Sequence, residues 1–133
     1  MTVFLDTNIL VYAYDTADPA KQHRAQEILA NGGWSISTQV MQEFFVVITR
    51  RIATPLPAAE ALGVLDDLTH TEVVVVTADD VRAAAALSVS RQLSLWDGLI
   101  VIAAQRAGCD RLVTEDLGHG ETIDGLLIEN PFM

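Results

Sequence analysis

Short apolar runs alternate along this chain with longer segments in which apolar residues recur every three or four positions. The runs predict buried strands at residues 3–5, 34–37, 73–76, 111–114 and 126–128. The longer segments predict helices at residues 9–14, 19–30, about 38–51, from 57 onward, 81–91 and 95–107. Strands that alternate with helices indicate a parallel sheet covered on both faces, so we expect a three-layer α/β/α fold.

Local signals mark several helix ends. Asp18 precedes Pro19 as an N-cap before a proline at the first helical position, and Gly32 and Gly33 follow the end of the same helix. Thr77 and Asp80 have the spacing of a capping box. These acids therefore have a structural explanation, and they are excluded from the candidate functional residues.

Composition adds limits to this picture. The 133 residues are 50% hydrophobic and 20% charged, which predicts one globular domain spanning residues 1–133. No apolar run approaches the roughly 20 residues of a membrane span, so we expect a cytoplasmic protein. The single Cys109 is interpreted as a packing residue. A net charge of −10 argues against broad electrostatic attraction to nucleic acid and fits a basic protein partner.

Four acids stand in apolar surroundings, where an ionised carboxylate is costly unless positive charge meets it. They are Asp6, Glu43, Asp97 and Asp116. The chain holds only 8 Lys and Arg against 18 Asp and Glu, and almost none of the basic residues lie near these segments. A bound metal ion is the simplest source of the missing positive charge.

The predicted elements can bring these acids together. Asp6 and Asp116 each follow a strand, and the carboxyl ends of parallel strands share one edge of a sheet. Asp97 falls in the first turn of a helix, and Glu43 projects from the apolar stripe of another. Taken singly, each acid has another explanation: a helix cap for Asp6, a first-turn acid for Asp97, a turn residue for Asp116, and a partner such as Arg50 for Glu43.

Oxygen ligands select hard cations such as Mg²⁺ or Mn²⁺, which commonly bind phosphate oxygens. No histidine has a His or Cys partner at zinc spacing, although His119 lies close to Asp116. Sequence patterns for a serine hydrolase, a P-loop and a dinucleotide site are absent. The acids therefore favour metal-assisted phosphate chemistry.

Four segments carry a resemblance to a known family. They are Leu5-Asp6-Thr7-Asn8-Ile9-Leu10, Gln39-Val40-Met41-Gln42-Glu43-Phe44, Leu95-Trp96-Asp97-Gly98-Leu99-Ile100 and Thr114-Glu115-Asp116-Leu117-Gly118-His119-Gly120. Their order and spacing resemble the acidic motifs of PIN-domain ribonucleases, most of all the VapC-type toxins of toxin–antitoxin pairs. The resemblance covers nearly the whole chain and implies a PIN-like, Rossmann-like fold.

The resemblance also implies Mg²⁺- or Mn²⁺-dependent cleavage of RNA, with Asp6, Glu43, Asp97 and Asp116 as metal-binding acids. It implies supporting roles for Asn8 and Thr114. A homodimer and an antitoxin with a basic tail are expected as well. Glu115 competes with Asp116 for the last position, although the Thr-x-Asp spacing favours Asp116.

Three alternatives remain open from the sequence. The first is a PIN nuclease with a housekeeping role. The second is a phosphohydrolase with Asp6 as nucleophile, although such enzymes resemble a D-x-D pattern and this chain has Asn8. The third is an acidic domain that binds a partner without catalysis.

Overall fold

The computed structural model describes residues 2–133, which form six strands and six helices. The strands are β1 (Val3–Leu5), β2 (Trp34–Ser37), β3 (Glu72–Val74), β4 (Arg111–Val113), β5 (Thr122–Ile123) and β6 (Leu126–Glu129). The helices are α1 (Thr7–Tyr14), α2 (Pro19–Asn31), α3 (Thr38–Arg50), α4 (Ala58–Leu68), α5 (Ala78–Arg91) and α6 (Leu95–Arg106).

All six strands join one sheet in the order β3-β2-β1-β4-β6-β5. Every neighbouring pair is parallel except β5 and β6, which are antiparallel. Helix α1 packs against α2 and α3, and α5 packs against α6. The predicted three-layer α/β/α fold with a central parallel sheet is therefore confirmed, with one antiparallel strand added at an edge.

The core lies under the central strands. Phe4 and Leu5 of β1, Ile36 of β2 and Leu112 of β4 have no exposed surface, and Phe44 of α3 is equally buried. Runs of apolar residues without alternation are expected in strands that helices cover on both faces. No helix within residues 2–133 has the length and apolarity needed to cross a membrane.

One predicted strand was wrong in detail, and one strand was missed. The strand predicted at residues 73–76 is Glu72–Val74, because this edge strand pairs only with β2 and the chain leaves the sheet before Val75, which is 62% exposed. Strand β5 was not predicted. It forms a hairpin with β6 through Asp124 and Gly125, both with positive φ, and Asp-Gly is a common sequence for such a turn.

Helix boundaries were predicted to within a few residues. Helix α1 begins at Thr7 and not at residue 9, because Asp6 itself is the N-cap. The capping box of Thr77 and Asp80 is confirmed, so α5 begins at Ala78 and not at residue 81. Pro57 is the N-cap of α4 and not its first residue. The remaining ends differ by one residue, which is ordinary fraying.

Candidate active site

The ends of the two central strands bring distant parts of the chain together. Strands β1 and β4 are parallel neighbours in which Leu5 is paired with Val113. The next residue of each strand, Asp6 and Thr114, therefore leaves the sheet at the same edge. The amide of Asp6 still donates to the carbonyl of Val113 at 3.0 Å. This edge is where open α/β sheets collect their ligands.

Asp6 is held by hydrogen bonds to both carboxylate oxygens and is only 5% exposed. The amide of Thr7 donates to Oδ1 at 2.7 Å, and the Thr114 hydroxyl donates to Oδ2 at 2.8 Å. Asp6 is therefore the N-cap of α1, as its alternative explanation from the sequence predicted. The cap fixes the carboxylate at the first turn of α1 and leaves it beside the other acids.

Asp116 is attached to the same cluster through Asn8 and Thr114. Asn8 Nδ2 donates to Asp116 Oδ2 at 2.9 Å and to Thr114 Oγ1 at 3.4 Å. The amide of Asp116 also donates to Thr114 Oγ1, at 3.0 Å. Asn8 Oδ1 is buried without a hydrogen-bond partner in the described chain. A buried oxygen of this kind is free to accept from, or to coordinate, a ligand.

Glu43 reaches the cluster from helix α3. Its Oε1 accepts a hydrogen bond from the Thr7 hydroxyl at 2.7 Å. Within residues 2–133 it forms no ion pair with Arg50, so that alternative from the sequence was wrong. Thr7 was missed by the sequence reasoning. Its position after Asp6 is visible in the sequence, but its contact with a residue 36 positions away depends on the folded chain.

Asp97 stands in the first turn of α6, where the helix dipole favours a negative charge. Ser94 caps this helix, and its hydroxyl accepts from the Asp97 amide at 3.0 Å. Burial raises the pKa of the Asp97 carboxyl, and the nearby charge of Asp116 adds to this rise.

All four acids line one cleft of about 660 Å³. The same cleft is also lined by apolar side chains, among them Val46, Val47, Ile52 and Trp96. Its lining residues come mainly from α1, α3 and the first two turns of α6. A polar cluster against an apolar wall is the usual form of a ligand site.

The acids also interact electrostatically. The pKa of Asp6 is raised from an ordinary 3.8 to about 7, mainly because the carboxyl is buried. Hydrogen bonds from Thr114 and Thr7 lower it, while the charges of Asp116 and Glu43 raise it. The charge of Asp116 also raises the pKa of Asp97. The four carboxylates therefore form one electrostatically coupled negative cluster.

The donor set of this cluster fits a hard divalent cation. It offers only oxygen atoms, one of them the unpartnered Asn8 Oδ1, in a place where negative charges repel each other. In residues 2–133, however, no three Asp, Glu, His or Cys side chains lie close enough to hold one ion. Hydrogen bonds to Thr7, Asn8 and Thr114 hold the carboxylates in their present positions.

Glu115 points away from the cluster. Its Oε2 accepts from Lys21 Nζ at 2.9 Å, and its Oε1 accepts from the Tyr12 hydroxyl at 2.5 Å. The bond to Glu115 is the main reason that the pKa of Lys21 is raised to about 12. Lys21 also lies over the rings of Tyr12 and Phe132. Glu115 therefore anchors α1, α2 and the turn after β4 to one another.

This difference between neighbouring acids is testable. We expect Glu115→Gln to cost up to about 1 kcal/mol of the free energy of unfolding, because a partly exposed ion pair is weakened. Divalent-metal binding should stay within about twofold of the parent. Asp116→Asn should weaken metal binding by about tenfold or more, since it removes a charge from the cluster. Urea denaturation and calorimetric metal titration measure the two effects; equal losses of metal affinity would contradict the assignment.

The residues excluded from the site have the expected structural roles. Asp18 caps α2. Asp80 completes the capping box with Thr77 at the start of α5 and also forms an ion pair with Arg106. Cys109 is buried. His119, which the sequence places close to Asp116, was not excluded beforehand, but it is not among the residues that line the cleft. Its Nδ1 accepts from the amide of Asn130 at 3.0 Å and so joins the C-terminal segment to the loop after β4.

Comparison with known proteins gives the family. The sequence profile of the PIN domain matches residues 3–122. The chain therefore belongs to the PIN domain family. Comparison with curated proteins finds no matching sequence.

Solved structures share this fold. A toxin–antitoxin complex from Klebsiella pneumoniae contains a chain that is 20% identical, with a TM-score of 0.72 and 98% of each chain covered. VapC20 of Mycobacterium tuberculosis, described as a toxin that cleaves the sarcin–ricin loop, is 23% identical with a TM-score of 0.69, covering 84% of this chain and 87% of VapC20. VapBC2 of Rickettsia felis, bound to a promoter DNA fragment, is 22% identical with a TM-score of 0.66 and 98% coverage of both chains.

Proposed function

We propose that this protein is a Mg²⁺- or Mn²⁺-dependent endoribonuclease and the toxin of a toxin–antitoxin pair. The observation that carries the proposal is the cluster of Asp6, Glu43, Asp97 and Asp116 along one cleft of a PIN domain. The structural relatives described as toxins support the biological role by analogy. RNA in the cytoplasm would be the substrate.

A divalent ion held by these acids would activate water and neutralise charge on the phosphodiester during hydrolysis. The chain's own groups then have distinct tasks. Thr7 and Thr114 orient Asp6, and Thr7 also orients Glu43. Asn8 orients Asp116 through its Nδ2, and its buried Oδ1 has no hydrogen-bond partner within residues 2–133.

Contacts of Asp6 favour this chemistry over nucleophilic attack by the carboxylate. Both of its oxygens already accept hydrogen bonds, and the side chain is almost completely buried. A nucleophilic aspartate needs an oxygen that can approach phosphorus. The phosphohydrolase alternative therefore has less support than metal-assisted hydrolysis.

The proposal includes a partner protein and a second copy of the chain. Asp6, Glu43, Asp97 and Asp116 would hold a divalent ion that offsets their charge in the active enzyme, and a basic side chain from an antitoxin tail would offset it in the silenced complex. A homodimer is proposed from the resemblance to VapC-type toxins. Gel filtration of the protein alone and with the product of an adjacent small gene would measure both assemblies.

Cleavage of purified cellular RNA tests the enzymatic part. The parent should cut RNA when Mg²⁺ or Mn²⁺ is present and lose the activity in EDTA. Asp97→Asn should lower the rate by about a hundredfold or more, because it removes one charge from the cluster without changing its size. Asp79→Asn is a matched control on an exposed acid of α5. Cutting by Asp97→Asn at the parent's rate would contradict the proposed site.

A further inference from the structure

Trp96 is an exposed aromatic side chain beside the acidic cluster. It is the second residue of α6, directly before Asp97, and it is 62% exposed while lining the same cleft as the four acids. Large aromatic side chains contribute most to stability when they are buried. The other tryptophan, Trp34, is partly buried and donates from its indole Nε1 to the Leu29 carbonyl at 3.2 Å.

The backbone beneath Trp96 is held firmly. Gln39, 6% exposed at the start of α3, donates from Nε2 to the Trp96 carbonyl at 3.2 Å. Two residues later, a Cβ on Gly98 would lie 2.8 Å from the Ala84 carbonyl oxygen, so a larger residue at this position would clash with the backbone of α5. Trp96 therefore lines the cleft from a turn that these contacts hold in place, and Asp97 lines the same cleft.

Positive charge is scarce in this cleft. All eight Lys and Arg residues lie within the described residues 2–133, and of these only Arg51 lines the cleft; the net charge of the chain is −10. Attraction of phosphates by basic side chains, the usual source of nucleic-acid affinity, is correspondingly weak here. Stacking of bases on aromatic rings supplies affinity that does not depend on charge.

We propose that Trp96 is a stacking platform for an unpaired nucleobase next to the phosphate that is cut. The inference rests on the proposed ribonuclease function and adds to it a residue that contacts a base of the substrate. A base can reach the indole only when it is unstacked from its neighbours, as in a loop or a single strand. The enzyme would therefore cut unpaired RNA and spare the same sequence within a duplex.

Steady-state kinetics on a short single-stranded RNA that contains a mapped cut site tests the contact. Trp96→Ala should raise KM about tenfold, and Trp96→Phe, which keeps a ring, should stay within about threefold of the parent. The Trp96→Ala effect should be similar at about 50 and about 200 mM salt, unlike that of a phosphate contact. Val89→Ala is the control, since Val89 is 82% exposed and lies outside the cleft.

Fluorescence gives a readout that does not depend on activity. In a Trp34→Phe protein, Trp96 is the only tryptophan of the chain. With Asp6→Asn added to prevent cleavage, the same RNA should quench its emission. Replacing the bases on either side of the cut phosphate, one at a time, by abasic nucleotides should abolish most of the quenching at one position, and annealing a complementary strand should abolish it as well.

The outcomes separate this inference from the proposed function. If the parent cuts RNA but Trp96→Ala keeps the parent's KM and the abasic strands quench like the intact one, the stacking platform is wrong and the nuclease remains. Loss of antitoxin affinity in Trp96→Ala with unchanged RNA kinetics would assign the indole to a protein contact and overturn the inference. A parent protein that cuts no RNA with Mg²⁺ or Mn²⁺ would instead contradict the function itself.

Discussion

Replacing Asp6 by asparagine is expected to abolish RNA cleavage and, in the same protein, to stabilise the metal-free fold at pH 8. The two effects have one cause. A carboxylate that is almost completely buried beside Asp116 and Glu43 is useful for holding a cation and costly when no cation is present. Asparagine keeps the size of the side chain and removes the charge.

The pH dependence follows from the raised pKa of Asp6. The folded protein binds the proton more tightly than the unfolded chain does, since the pKa rises from 3.8 to about 7. The contribution of Asp6 to stability is therefore greatest below about pH 4, decreases as the pH rises through about 7, and does not change further above that range. The rise corresponds to about 4 kcal/mol, and relaxation around the charge reduces the expected effect of Asp6→Asn at pH 8 to about 2 kcal/mol.

Urea denaturation in EDTA across about pH 5 to pH 9 measures this difference. The free energies of unfolding of the parent and Asp6→Asn should be similar at the acidic end and diverge above pH 7. Adding Mg²⁺ or Mn²⁺ at pH 8 should raise the Tm of the parent and have little effect on Asp6→Asn, because ligand binding stabilises only a protein that binds it. Asp79→Asn, an exposed acid, should follow the parent. A constant offset at every pH would contradict the explanation.

Most of the fold was predictable because its signals are local. Caps such as Asp18 and Thr77 act within one helical turn, and the central strands are continuous apolar runs. The end of β3 was not predictable in this way, since the apolar run continues beyond the last residue that pairs with β2. The β5–β6 hairpin had a readable signal in Asp124-Gly125, which the sequence reasoning did not use.

The sequence predicted the acidic residues of the candidate site, but it did not predict most of the side chains that hydrogen-bond to them. Carboxylates among apolar residues are unusual enough to be visible in a sequence, and strand-end positions brought Asp6 and Asp116 to one edge. Which hydroxyl supports which acid depends on side-chain orientation across elements far apart in sequence. For that reason Thr7 and the contacts of Glu115 with Lys21 and Tyr12 emerged only from the structure.

Replacing Thr114 is expected to cause a large loss of stability, because its hydroxyl uses all of its hydrogen-bonding capacity. It has no exposed surface, donates to Asp6 Oδ2, and accepts from the Asp116 amide and from Asn8 Nδ2. Thr114→Val keeps the shape of the side chain but leaves all three groups without this partner. We expect it to lower the free energy of unfolding by about 2 to 3 kcal/mol at pH 8.

A positioning role for Thr114 predicts more than lost stability, because its hydrogen bond lowers the pKa of Asp6. Without that bond the Asp6 carboxyl holds its proton to a higher pH, so calorimetric binding of Mg²⁺ or Mn²⁺ by Thr114→Val should require a more alkaline solution than the parent does. Thr114→Ser keeps the hydroxyl and should restore the parent's pH profile, even if the lost methyl group costs about 1 kcal/mol of stability. A Thr114→Val protein that is less stable but binds metal with the parent's pH profile would reduce Thr114 to a packing residue.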